Sequence, residues 1–314
     1  MTTRIAQAAR AFDWRQNIIY IGFVLVFLFF AVTLEDRGFL TDRNLTNVIR
    51  QTATITVMAV AMTFVIGAAQ IDLSVGSTVG LASVTTAMAI SQFGVPIGIV
   101  VGLATGLIVG AANGVLVAYV AIPSFLVTLG MLGIAHGSAM WITDTAPQPI
   151  RDDTFNNLFG SGDIGPVPSL VFWTIVAVII GHIVLKKTGY GRRVLATGGN
   201  PVAARFSGVD TKKITFAVLT VMGVVAAFAG MLLAGRLQSG RYTFGEGFEL
   251  SVIAAVILGG TSLFGGRATV IGTVLGSLMI GLINNGLTLM GMESSQQQIV
   301  RGAIIILAVA LARR

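Results

Sequence analysis

From Leu73 to Thr143 the chain runs for 71 residues without one Asp, Glu, Lys or Arg. A water-soluble fold of that length must put charge on its exterior, whereas three bilayer crossings of about 20 residues joined by tight turns need none. The whole chain agrees, with 54% of its residues hydrophobic and 11% charged, against about 25% charged in soluble domains. The fold class is therefore an all-α polytopic membrane protein, because lipid offers backbone polar groups no partner outside their own helix.

Charge-poor windows predict ten crossings, at about 18–34, 52–69, 74–91, 95–118, 123–142, 169–185, 214–235, 248–264, 269–290 and 296–312. Lys186, Lys187, Arg192, Arg193, Arg205, Lys212 and Lys213 face only one acid, Asp210, between the sixth and seventh. Insertion retains Lys and Arg on the cytoplasmic side, so loop 186–213 is expected inside. Starting inside, an even number of crossings returns Arg313 and Arg314 to the cytoplasm, and the acid-rich connection 143–168 falls outside. The reading is one membrane domain over 1–314, with a short cytoplasmic N-terminus, 1–17. Arg4, Arg10 and Arg15 precede a first span with no small-residue cleavage site after it, which reads as retained. Segment 41–50 reads as a capped amphipathic helix lying in the outer interface.

The net charge of +7 does not indicate nucleic-acid binding, since the cations sit in cytoplasmic segments without interleaved aromatics. With no cysteine, thiol catalysis and Cys-based metal sites are excluded. His136 and His182 lie 46 residues apart with no acid beside either, so neither a metal pair nor a proton relay is indicated. Gly259 to Arg267 lacks the Gly-Lys-Ser/Thr end of a phosphate loop and reads as a tight cytoplasmic connection. No cofactor is implied, and energy must come from a partner.

Ile71-Asp72-Leu73-Ser74-Val75 echoes in Phe248-Glu249-Leu250-Ser251-Val252, and Asn113-Gly114 in Asn285-Gly286. By span parity the two halves run in opposite senses, as in inverted-repeat transporters with a path at the repeat interface. Asp72 and Glu249 each open a long apolar stretch, as helix caps or, alternatively, as a gate. Asn113, Asn284 and Asn285 are amides deep in apolar spans, either joining helices or lining a path, and Phe125 after Pro123 is a candidate for closing it. A buried amide needs a partner or water, and a path between the inverted halves supplies both. Gly102, Gly106, Gly110 and Gly114 form one smooth helix face, suited to close packing or to a Gly-lined track.

Residues 200–208 read as a short helix, with Asn200 as N-cap, Pro201 at the first position and Gly208 as the stop. It is either a docking element for a soluble partner or a helix resting on lipid. The stretch Ala196-Thr197-Gly198-Gly199-Asn200-Pro201-Val202-Ala203-Ala204-Arg205-Phe206-Ser207-Gly208-Val209 resembles the cytoplasmic signature of permease subunits of ATP-binding-cassette sugar importers of the ribose/xylose/galactose type. Ile71 to Gly76, Pro123 to Gly130 and Leu258 to Gly266 extend the resemblance from about residue 45 to the end. Ala68-Ala69-Gln70, where many relatives have glycines or an acid, is a departure that bears on substrate identity. The resemblance implies an inner-membrane permease that pairs with a second copy or a paralogue around one path. A periplasmic sugar-binding protein would dock outside and a cytoplasmic ATPase inside. Asn200, Pro201, Val202, Ala203, Ala204, Arg205, Phe206 and Ser207 would then form the coupling helix on the ATPase. The alternatives are an importer of another small polar solute, such as a nucleoside, polyol, autoinducer sugar or branched-chain amino acid, or a secondary transporter. The charge-free run argues against the last.

Overall fold

The computed structural model describes residues 14–312. The cationic N-terminal residues Arg4 and Arg10 and the C-terminal Arg313-Arg314 pair lie outside the described residues. The chain is built of helices: α1 Trp14–Thr33, α2 Asp42–Gly67, α3 Val75–Phe93, α4 Val95–Ala118, α5 Ser124–Thr143, α6 Asp153–Phe159 and α7 Ser169–Lys187. They are followed by α8 Gly189–Gly199, α9 Pro201–Phe206, α10 Thr211–Leu237, α11 Phe248–Leu258, α12 Val270–Leu289 and α13 Ser294–Ala312. Among the described residues, six helices are long and apolar enough to cross a bilayer: α2, α4, α5, α7, α10 and α12. α3 is one of the most polar of the expected spans. It tolerates Ser77, Thr78, Ser83 and Thr86 because all four are buried in protein and away from lipid.

Two expectations change. The interfacial helix expected at 41–50 is the first part of α2. Thr41 is its N-cap, with its hydroxyl accepting from the Asn44 amide at 3.4 Å, but no break follows. The polar half of α2 is held by neighbours instead, for example Arg50 to Asp163 at 3.5 Å. The eighth span, expected over 248–264, is helical only from Phe248 to Leu258. Eleven residues at about 1.5 Å each reach only half of a 30 Å hydrocarbon layer. Residues 238–247, which precede it, lack regular helix and supply the rest of the distance.

The long helices pair across the two halves of the sequence. α4 packs antiparallel on α10, where added Cβ atoms on Gly106, Gly110 and Gly114 would strike Gly223, Leu219 and Phe216. That settles the glycine face as a packing seam. α2 packs antiparallel on α12 through hydroxyl pairs, Thr56 with Ser277 and Thr63 with Thr273, each at 2.8 Å. The second helix of each half thus crosses to the fourth helix of the other, the exchange that an inverted repeat produces. α2 and α10, largely buried, form the centre together with α11.

Opposite the basic loop, the connection 144–168 is ordered by small devices. Asp152 caps α6 by accepting from the Phe155 amide at 2.9 Å. Phe159 stacks on Trp173, with ring centroids 5.9 Å apart. β1 (Gln148–Pro149) pairs antiparallel with β4 (Ser239–Gly240), while β2 (Asp163–Ile164) and β3 (Val167–Pro168) close a small hairpin.

Candidate functional site

The basic loop folds as two helices, of which only the second was legible. α8 starts at Thr188, whose hydroxyl accepts from the Gly191 amide at 3.3 Å. It went unread because four glycines in eleven residues argue against helix. Gly191 and Gly198 are there for contact, the first against the Leu185 carbonyl. An added Cβ on Gly198 would strike the Gly67 carbonyl at the end of α2, and Gly265 abuts Gly198 in turn. The Gly266 amide donates to the Gly67 carbonyl at 3.1 Å. The connection Gly259 to Arg267 therefore seats against both α8 and α2, so the basic loop is joined to the ends of three spans. Tyr190 adds to the joint by stacking over Phe64 at 6.4 Å, and burial raises its phenol pKa.

α9 has the predicted ends. The Asn200 carboxamide oxygen accepts from the Val202 and Ala203 amides at 3.1 and 3.0 Å, and Gly208 stops the helix at φ +82°. Ala204 is buried and anchors the helix, and Arg205 folds its Nε back onto the Pro201 carbonyl at 3.2 Å. Val202 and Phe206, one turn apart, project outward, with Phe206 90% exposed. A bare phenylalanine beside exposed Lys212 and Lys213 marks a contact surface rather than a packed core position. Asp210, with its carboxyl held below the usual value chiefly by the Lys213 amide, caps α10 immediately afterwards.

Toward the membrane interior the sequence-predicted residues separate. Asn113 is fully buried, and its amide donates to the Ser74 hydroxyl at 2.9 Å. Ser74 in turn donates to Asp72 through both its amide, at 2.9 Å, and its hydroxyl, at 2.6 Å. Asn285 exchanges two hydrogen bonds with Asn44, at 3.0 and 2.8 Å, across the α2–α12 seam. Both amides join helices. Asn284 is half-buried next to that pair. Phe125 alone of the path candidates is widely exposed. It lies beside a cleft of about 280 Å³ that opens on the basic face between Gln70, Pro123, Ser124 and Lys212.

Sequence reasoning missed the roles of Ser124 and Thr128. Their hydroxyls accept from the Ile71 amide at 3.2 Å and the Leu73 amide at 3.0 Å, clasping the loop before α3. The available signal was their i, i+4 spacing at the start of an apolar helix.

The two acids of the echo sit in different local settings. Asp72 is buried in the turn ahead of α3, whereas Glu249 sits in the first turn of α11, whose N-cap Gly247 has no side chain to cap it. Glu249→Gln should be mild, removing one favourable charge near a helix N-terminus, about 0.3–1 kcal/mol. Asp72→Ala strips Ser74 of both its acceptor contacts and should cost about 2–4 kcal/mol in thermal unfolding of the detergent-solubilised protein. Equal melting temperatures for the two variants would show that the Asp72 network carries no load. At the other seam, Asn285→Leu should cost about 1 kcal/mol, and adding Asn44→Leu should restore part of it, because the pair is then removed together. Additive losses in the double variant would count against the exchange.

These features define a polytopic membrane permease whose basic face carries a capped, exposed short helix. Residues 44–309 match the family model described as branched-chain amino acid transport system / permease component, and the chain belongs to that family. It is 39% identical to the probable ABC transporter permease protein YphD of Escherichia coli strain K12, over 93% of this chain and 88% of the relative. It is 38% identical to the ribose import permease protein RbsC of the same strain, over 98% of both chains. RbsC of Bacillus subtilis strain 168 is also 38% identical, over 93% of this chain and 90% of the relative. No solved structure matches the chain.

Proposed function

We propose that this chain is the membrane-spanning permease subunit of an ATP-driven importer that carries a monosaccharide of the ribose kind across the bacterial inner membrane. It forms one permease domain that works as a pair, with a second copy or a paralogue. Its N- and C-termini face the cytoplasm, as the charge and parity of the loops support. A periplasmic sugar-binding protein delivers substrate to the 144–168 face, and a cytoplasmic ABC ATPase supplies the energy. The permease itself hydrolyses nothing.

The observation that carries this reading is the capped helix α9, with Val202 and Phe206 bare and Ala204 anchored. It stands on a platform that touches the ends of α2 and of α11 and α12 through glycine backbone contacts. A force applied to α9 by a partner reaches three spans without passing through flexible side chains. The ribose assignment rests on the printed names of the relatives, and the family description supports branched-chain amino acids as the second reading.

Proteoliposomes holding the chain, its co-expressed ATPase and its binding protein should take up D-ribose only with ATP inside. Uptake driven by a proton gradient without ATP would overturn the importer reading, and ATP-driven uptake of L-leucine in place of D-ribose would replace the sugar.

A further inference from the structure

The ten residues between α10 and α11 hold a feature that neither the platform nor the helix seams use. Segment 238–247 runs beside α3 from the ninth residue of that helix toward its second. The Arg241 amide donates to the Ser83 hydroxyl at 3.2 Å, the Tyr242 carbonyl lies against Gly80, and Gly245 lies against Gly76. It therefore sits at membrane depth, between the connection 144–168 and the basic face. Yet Arg241, Thr243 and Glu246 are exposed in the protomer. Across from them on α5, His136 places its ring 5.6 Å from that of Tyr242 and its Nε2 4.0 Å from a Glu246 carboxylate oxygen.

Irregular backbone and ionisable side chains at this depth are tolerated only in protein or against water. Lipid contact would carry the same cost that keeps the run Leu73 to Thr143 free of charge. The half-length helix α11 begins where the segment ends, with Gly247 left-handed at φ +75°. A helix starting inside the membrane at a repeat interface is where transport folds place their substrate contacts.

We propose that His136, Arg241, Tyr242, Thr243 and Glu246 form a wet strip lining the translocation path, and that the strip makes the polar contacts to the passing solute. Its chemistry suits a monosaccharide. An aromatic ring accepts the apolar C–H face of the sugar, while carboxylate, imidazole and guanidinium bond its hydroxyls. The strip is separate from Asn113 and Asn285, whose amides bond across helices. The choice of sugar as solute rests on the importer reading above, whereas the wetness of the strip does not.

The native chain has no cysteine, so single cysteines report cleanly. Thr243→Cys and Glu246→Cys in the full-length chain in membrane vesicles should react with a charged methanethiosulfonate at least about tenfold faster than Val100→Cys on the lipid face of α4. Inertness of both would place lipid or a dry protein contact over the strip and overturn the proposal. In the assembled importer, Glu246→Gln should raise the KM for D-ribose about tenfold while ATPase co-purification and the stability of the complex stay at wild-type level. An unchanged KM with normal uptake would remove the sugar contact from this residue set. Should the wild-type complex import no D-ribose, the importer reading fails on its own terms, and the labelling rates still decide whether the strip is wet.

Discussion

Phe206→Asp is expected to bring ATP-driven uptake to background while the permease still inserts and elutes as a monodisperse species from detergent. The ring is 90% exposed on a six-residue helix that is capped at one end by Asn200 and stopped at the other by Gly208. Among the described residues nothing packs over it, so its removal leaves the fold alone. An aromatic anchor that fills a partner's pocket is worth about 2–4 kcal/mol, or roughly 30- to 1,000-fold in affinity. A carboxylate in its place adds the cost of desolvating a charge. Phe206→Leu keeps an apolar anchor and should retain most uptake. Insertion of Gly after Ala203 should behave like Phe206→Asp, because it turns Phe206 away from Val202 by about 100° without touching either side chain. Wild-type co-purification of the ATPase with Phe206→Asp, together with normal uptake, would remove α9 from the docking surface.

How much of this was legible in the sequence depended on whether the signal was local. Asn200, Pro201 and Gly208 announce α9 within nine residues, because a cap, a fixed φ and a left-handed stop are properties of the residues themselves. The charge-free run announces membrane helices for the same reason. α8 was hidden because Gly189, Gly191, Gly198 and Gly199 oppose helix locally, whereas the close contacts of Gly198 are with Gly67 and Gly265, which are distant in sequence. The hydrogen-bond partners of Asn113 and Asn285 are likewise distant in sequence, Ser74 and Asn44, which apolar periodicity cannot place. The half-length α11 reads as a full span because Phe248 to Phe264 carries only one charge, Glu249, among mostly apolar residues, and only the position of segment 238–247 beside α3 shows where the crossing begins.

The α4–α10 seam should be the most sensitive place in the membrane. There the two helices approach to backbone contact. A Cβ on Gly223 would lie 2.7 Å from both the Cα and the amide nitrogen of Gly110, and it would also strike the Gly106 carbonyl. None of these atoms ends a flexible side chain, so the helices themselves must separate. Gly223→Ala should cost about 1–3 kcal/mol, the usual penalty for overpacking. Gly223→Leu should leave little folded protein, because parting the seam forfeits dispersion contacts along its whole length, and between apolar helices in lipid those contacts are the main attraction. Gly130→Leu on α5 is the matched comparison. Among the described residues, no atom outside its own stretch of helix lies within 4 Å of its added Cβ, and the variant should unfold at the wild-type temperature. The readout is the melting temperature and yield of the purified chain for all three variants. If Gly223→Leu were as stable as Gly130→Leu, the two halves would not meet through backbone contact, and the crossed pairing of the repeat would lose its main support.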